Sequence, residues 1–434
     1  MGESVLTGHR GTLSSGFERV DGVLTCRGLS LEELAAGFGT PLYVYDIEGV
    51  VGRVHRFQTA FEDVPFLLAY SVKANGSLAI LNRIGAMGAG ADIVSLGELH
   101  RAIRAGIPPE RIVFAGVGKT EREMVAALQA GIHAFHVESA GELELLAEVA
   151  ERLGVVAPVS LRVNPDVDSK AAHAYTRTGH AASKFGIPTA DAEALYLDRG
   201  DDPRLRFLGV DVHIGSQIVE SEPYLRALET VLGIVDRVAE AGTELEYLDL
   251  GGGFGIGYQG EAGLDLEALA GAVIPEIEAR GLRLVLEPGR AIVGESGILL
   301  TRVLYTKVSG GKHFVVTDGA MNDLLRPSHY GGFHRIIPVR DRESDGLVVA
   351  DVVGPICETG DFLARDREIA LPEPGDLLAV GEAGAYGFAM ASNYNSRLRP
   401  AEVMVEKGRA LLIRSRETFD ALLADEEIPS KEPA

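Results

Sequence analysis

The chain has 434 residues, nearly half of them apolar, with 41 basic against 63 acidic side chains and a formal net charge of −22. That length exceeds one ordinary domain and suits a barrel of about 250 residues plus a second unit. The acidic balance excludes nucleic acid and anionic membrane as partners, yet leaves a small anionic substrate open to a few local arginines.

In chain order, Met1-Gly2-Glu3-Ser4 lacks the basic-then-apolar pattern of a secretory signal, and Leu6 stands where a myristoylation motif needs Ser or Thr. No apolar run reaches the length of a membrane span. Cys26 and Cys357 are too few for a disulfide framework. A cytoplasmic protein is expected. Phe17–Val20 and Val23–Cys26 read as strands that join a C-terminal β-domain. Eight short apolar runs then follow: Leu67–Val72, Ala91–Val94, Ile112–Ala115, Ala134–Val137, Val159–Val163, Phe207–His213, Tyr247–Leu250 and Leu282–Leu286. Between them lie helix-like segments such as Glu121–Gln129, Ala140–Arg152 and Tyr224–Ala241, with apolar residues three and four apart. Strands alternating with helices in that number predict an α/β fold of the (β/α)8 TIM-type barrel class; an open doubly wound sheet is the alternative the pattern leaves open. After Arg290 the texture changes to Val303–Val308, Lys312–Thr317, Leu347–Val353, Leu377–Val380, Ala401–Glu406 and Arg409–Arg414, separated by Gly, Pro and Asp, with one helical stretch at Phe419–Leu423. The expected organisation is a barrel over 39–290, a mostly-β domain from 1–38 plus 291–424, and a disordered tail over 425–434.

A barrel concentrates chemistry at the C-terminal ends of its strands. The first ends in Ser71-Val72-Lys73-Ala74-Asn75. Lys73 is either a surface residue or a desolvated amine fit for Schiff-base chemistry. The sixth ends at His213, either a packing residue or a ring that stacks on a ligand. The seventh ends in Asp249-Leu250-Gly251-Gly252-Gly253, a flexible turn or a glycine cradle for phosphate. It does not read as a dinucleotide fingerprint, which needs the G-x-G-x-x-G spacing within a βαβ unit that also carries an acidic partner. The eighth ends in Glu287-Pro288-Gly289-Arg290. Glu287 either pairs with Arg290 or holds a pyridine nitrogen protonated. Lysine, ring, cradle and acid together are the parts a pyridoxal-phosphate site needs. No group suggests a metal.

The runs Tyr70–Asn75, Gly90–Leu99 (GADIVSLGEL), Arg162–Asp168, His213–Gln217, Asp249–Gly253, Glu287–Arg290 and Gly354–Asp361 resemble the diaminopimelate decarboxylase family, in order and over essentially the whole chain. That family has an alanine-racemase-like barrel and a β-domain. The resemblance implies pyridoxal 5'-phosphate as cofactor, Lys73 as its Schiff-base lysine and His213 stacked on its ring. It implies phosphate contacts from Ser216, Gly252, Gly253, Gly289 and Arg290 with Tyr386, Glu287 on the pyridine nitrogen, and Asp92 and Arg162 bracing the arrangement. It further implies a homodimer in which Cys357, in Pro355-Ile356-Cys357-Glu358-Thr359-Gly360-Asp361, is offered by the partner subunit as the acid that protonates the carbanion left by CO₂. The other reading of Cys357 is a small buried hydrophobe.

The substrate expected is meso-2,6-diaminopimelate, whose far end carries both ammonium and carboxylate. A buried carboxylate needs a guanidinium; the resemblance implies Arg290, Arg326, Tyr330 and Tyr386 for the carboxylates and Glu358 for the ammonium. Arg326 could instead be a solvated surface charge. Thr359 and His329 depart from the family pattern, which favours serine and an apolar residue. Alternatives are a related decarboxylase of another basic or carrier-bound amino acid, a silent pyridoxal-phosphate-binding homologue, and a racemase, which would need a second base in place of the Cys357 loop. Cys26 has no assigned role.

Overall fold

The computed structural model describes residues 13, 16–167, 179, 183–341 and 346–429. The readings on Met1–Leu6, on Asp168 and on the end of the tail (430–434) lie outside the described residues. The chain divides into two compact units, Glu48–Glu295 and the segments up to Ile47 and from Ser296.

In the first unit all eight expected strands form: Phe66–Ser71, Gly90–Ile93, Ile112–Phe114, Ala134–Val137, Ala157–Asn164, Leu205–Val212, Tyr247–Asp249 and Arg283–Leu286. Each pairs in parallel with its neighbour in chain order, and Arg283–Leu286 pairs with Phe66–Ser71, which closes the ring. The open-sheet alternative falls on that pairing. The two-residue strand Ile187–Pro188 adds to the outside of the fifth. Strands covered on both faces show no polar alternation, and the second, third and fourth are buried at every position. Local chemistry sets the helices between them. Thr120 and Glu123 make a capping box at the start of Glu121–Ala130, and Gly131 ends it in the left-handed region at φ 73°. Ser95 and Ser139 cap Leu96–Arg104 and Ala140–Leu153.

The barrel's bore has two layers. Its lower part is apolar, packed with Leu67, Ala69, Val113, Ala134, Leu208, Tyr247 and Val285. One inward position further along the strands, the side chains become Ser71, Asp92, His136, Arg162, Asp211, Asp249 and Glu287, all buried. The core supports a charged floor at the strands' C-terminal ends.

In the second unit a nine-stranded sheet runs Phe362–Ala370, Leu347–Val353, Lys312–Thr317, Gly297–Ser309, Leu42–Asp46, Ala401–Glu406 and Arg409–Arg414, with Leu377–Val380 and Ile336–Pro338 branching from the long strand. Five of the six strands expected here match at both ends; the sixth, Val303–Val308, is the second half of the 13-residue strand Gly297–Ser309. Phe17–Val20 and Val23–Cys26 form a separate three-stranded sheet with Leu29–Ser30. The expected barrel start at 39 is displaced, because Leu42–Asp46 hydrogen-bonds between Gly297–Leu300 and Ala401–Val405 in this second sheet. Cys26 is a fully buried core residue here. Among the described residues no helix is long and apolar enough to cross a membrane.

A candidate pyridoxal-phosphate site at the barrel mouth

The first strand delivers Lys73 on a single 3-10 turn, Val72–Ala74, directly above the bore. Its Nζ lies 2.8 Å from Asp92 Oδ2, and the Lys73 side chain is 32% exposed while Asp92 has no exposure. Lys73 is therefore an amine at a mouth, one face on a buried acid and the other reachable. Ser71 Oγ donates to the same Asp92 oxygen at 2.8 Å and lies 2.9 Å from the Glu287 carbonyl, so the first, second and eighth strand ends are tied together. Burial pushes the Asp92 carboxyl up, reinforced by Glu287 and opposed by Lys73.

Glu287, just past the eighth strand, sits between two imidazoles: His136 Nδ1 at 3.4 Å from Oε1 and His213 Nδ1 at 3.7 Å from Oε2. Burial alone would raise its pKa, but His136, with Lys73 adding to it, outweighs burial and holds Glu287 well below the ordinary carboxylate range. His213 follows the sixth strand, and its Nδ1 accepts the Gly252 N–H at 3.1 Å. That bond leaves its ring proton on Nε2. Burial, with Arg162 and Lys73 adding to it, lowers the His213 pKa, so the ring is neutral.

The glycine run is explained first by packing. A Cβ on Gly252 would lie 2.2 Å from the Glu287 carbonyl, and one on Gly253, at φ 91°, 2.2 Å from that of Gly215. The Gly251 N–H is already donated to Asp249 Oδ1 at 2.8 Å and that of Gly252 to His213. Gly253 alone of the three has an N–H without a protein acceptor among the described residues. Beside it Ser216 Oγ accepts from Arg290 at 3.2 Å, and Arg290 also donates to the Tyr258 hydroxyl at 2.6 Å. Gly289 caps the short helix Arg290–Val293 that aims this guanidinium. Arg162, on the fifth strand, is buried against Glu138 at 2.8 Å, with Asp211 at 3.9 Å.

Lys73, Asp92, Arg162, His213, Ser216, Gly252, Gly253, Glu287, Gly289 and Arg290 thus gather at one end of the barrel. The residues that no sequence signal singled out lie one shell below. Lys119 is buried and donates to Glu142 at 2.8 Å and to the carbonyls of His136 and Gly116; Glu142 takes the Glu138 N–H, and Glu138 holds Arg162. His136, Asp211 and Asp249 complete the floor with Glu287. Polar residues at inward positions of otherwise apolar strands were the available signal.

The other expected residues belong to the second unit. Cys357 is exposed in the loop after Leu347–Val353, its N–H donated to Asn395 Oδ1 at 2.9 Å, so it is not the buried hydrophobe. Glu358 accepts the Tyr394 hydroxyl at 2.8 Å. Asp361 closes the loop by accepting the N–H groups of Ile356 and Met321 at 2.7 and 2.8 Å. Arg326 is not a solvated charge. It is only 7% exposed, and its guanidinium lies 2.7 Å from His334 Nε2. Tyr330 ends the helix Arg326–Tyr330 with His329 edge-on to its ring, and Tyr386 is held in the left-handed region at φ 55°.

A pyridoxal-phosphate cofactor fits the barrel mouth on two observations. The floor ends in Glu287, a buried carboxylate held ionised just past the eighth strand, which is complementary to a protonated pyridine. Above it stand an amine, a neutral imidazole and a serine–arginine pair with an N–H that has no protein acceptor.

Known proteins agree. Residues 47–294 match the family described as "Pyridoxal-dependent decarboxylase, pyridoxal binding domain". The chain is 49% identical to a diaminopimelate decarboxylase of Aquifex aeolicus over 94% of its own length and 96% of the relative's. It is 48% identical to that of Pseudomonas aeruginosa over 95% and 99%. The crystal structure of the Helicobacter pylori diaminopimelate decarboxylase complexed with L-lysine superimposes with a TM-score of 0.88 at 39% identity, covering 91% of this chain and 98% of that one. The protein is thus a pyridoxal-dependent decarboxylase and belongs to the diaminopimelate decarboxylase family.

Proposed function

We propose that the chain decarboxylates meso-2,6-diaminopimelate to L-lysine and CO₂, the last step of bacterial lysine synthesis in the cytoplasm, as a homodimer whose active sites are shared. The observation that carries this reading is Lys73 held beside buried Asp92 at the mouth of a barrel whose floor is an acid-rich cage around Glu287. When bound, pyridoxal phosphate supplies the electron sink into which the breaking C–C bond discharges.

The residues divide that work. Lys73 tethers the cofactor through its amine, with Asp92 taking and returning the proton at Nζ. Glu287, kept ionised, accepts the pyridine N–H, and neutral His213 packs against the ring face. Ser216, Gly252, Gly253, Gly289 and Arg290 hold the phosphate with Tyr386, and Arg162 braces the floor through Glu138. Arg290, Arg326, Tyr330 and Tyr386 take the substrate carboxylates, and Glu358 the distal ammonium. Cys357 of the partner subunit delivers a proton from Sγ to the carbon that lost CO₂. A thiol exposed on a loop whose backbone is pinned by Asn395 and Asp361 suits that role. The domain reading goes with it: the barrel holds the cofactor, and the β-unit supplies the acid and the substrate groups.

CO₂ release from the purified protein with added cofactor, comparing meso-diaminopimelate with L-ornithine, L-arginine and L-lysine, tests the reading. Turnover of diaminopimelate alone is expected. Turnover of another of these amines in its place would overturn the assignments of Arg326, Tyr330 and Glu358.

A further inference from the structure

Beneath the groups to which a role has been given lies a histidine with none. His136 stands two residues beyond Ala134 on the inward face of the fourth strand and has no exposed surface. Ionisable groups reach it from the second, fifth, sixth and seventh strands and from the end of the eighth. Asp211, on the sixth, and Glu287, after the eighth, each place a carboxylate oxygen 3.4 Å from Nδ1. From the seventh, Asp249 Oδ2 lies 3.7 Å from Nε2 and the Tyr247 hydroxyl 3.3 Å from it. Asp92 on the second strand and Arg162 on the fifth complete the surroundings, Arg162 standing 3.9 Å from Asp211. Just before its own strand, His133 packs on the Tyr247 ring at 5.2 Å.

A neutral imidazole carries one ring proton, and here both nitrogens face carboxylate oxygens. The ionic inventory points the same way. Lys73 pairs with Asp92, and Arg162 with Glu138 and more distantly with Asp211, which leaves His136 as the basic group shared by Asp211, Asp249 and Glu287. Buried carboxylates without a cation are driven to the neutral acid. Burial, with Glu287 and Asp211 adding to it, does push Asp249 far up, and burial takes Asp211 to about 7. Glu287 goes the other way. Burial disfavours the charged form of His136, but Asp211 and Glu287 outweigh it and raise its pKa above the ordinary 6.5. A proton on the histidine thus goes with one ionised acid, Glu287, beside two that burial has pushed up, Asp249 and Asp211.

We propose that His136 is a positioning residue, a buried imidazolium that keeps Glu287 ionised and correctly turned for the pyridine nitrogen assigned to it above. The inference rests on that assignment of Glu287. His136, Asp211, Asp249 and Glu287 also bring one ligand atom each within 4.8 Å of one another, so a divalent ion in place of the proton is the competing account.

The test uses the holoenzyme with ¹³C-labelled histidine, the His136 signal identified by its loss in both His136→Asn and His136→Gln. His136 is expected to titrate above 6.5, the ordinary value for histidine. Titration at or below 6.5 overturns the inference, as does a stoichiometric divalent ion that disappears with the histidine. Both variants are expected to bind pyridoxal phosphate roughly tenfold more weakly, about 1.4 kcal/mol, with kcat reduced and KM for diaminopimelate within about twofold. Because the folded pKa is raised, the wild type's advantage over His136→Gln in thermal stability should be full below pH 6.5 and shrink as pH rises through the folded value. Glu287→Gln separates the two readings. If it leaves cofactor spectrum and affinity unchanged, the assignment of Glu287 fails. If it alters them while both His136 variants bind cofactor and turn over normally, this inference alone fails.

Discussion

The barrel mouth and the Cys357 loop hold their reactive groups in opposite ways. At the mouth, one ionisable side chain fixes another: Lys73 by Asp92, Arg162 by Glu138, Glu138's neighbour Glu142 by Lys119, and Glu287 by His136. In the loop, Cys357 and Glu358 are exposed, and the backbone is fixed instead, by Asn395 and Asp361. Preorganised charge suits a cofactor whose electronics must not vary. Accessible side chains on a pinned loop suit groups that meet a succession of substrates and must regain a proton between turnovers. On the roles proposed above, one reaction would be served both by a rigid electrostatic floor and by a solvent-reachable set of donors.

That comparison can be broken at several places. The largest effect is expected for Lys73→Ala, which should abolish the cofactor's visible absorbance and lower turnover by roughly a thousandfold or more; an unchanged absorbance spectrum would refute its role. Next, Cys357→Ala should keep the spectrum and lower kcat by about 10²–10⁴-fold, the range of a general acid. Full activity in steady-state assays would remove the thiol from the mechanism. Lys119→Met attacks the floor without touching a proposed ligand contact. It strands Glu142 in the interior, and breaking a buried pair costs about 3–5 kcal/mol, to be read as a lowered Tm. Arg326→Ala should raise KM for diaminopimelate with kcat nearly kept, by about 1.5–3 kcal/mol in kcat/KM for a lost charged hydrogen bond. A KM unmoved by this change would assign the distal carboxylate elsewhere. Smallest is Thr120→Ala, which removes one helix cap for about 1 kcal/mol of stability and should leave every kinetic constant unaltered.

The fold was legible because a parallel barrel writes itself locally. Strands such as Ile112–Phe114, covered on both faces, become apolar runs, and Thr120, Ser139 and Gly131 mark helix ends. Leu42–Asp46 escaped that logic, since its hydrogen-bond partners lie some 250 and 360 residues away in sequence. At the mouth, Lys73, His213, Gly253 and Glu287 were visible because each ends a strand with a residue that strands seldom need. Asp211 and His136 sit inside apolar runs and carry no such mark. Their meaning depends on which strands the closed ring sets side by side.

The sequence alone therefore determined the alternation of strand and helix, the number of barrel strands and the placement of reactive residue types at their ends, because those depend on periodicity and neighbouring residues. Only the tertiary structure decided that Arg326 is buried, that Cys357 is exposed, and that three carboxylates share one histidine. Burial and charge pairing are sums over residues distant in the chain, and they acquire a value only when the ring closes and water is removed from its floor.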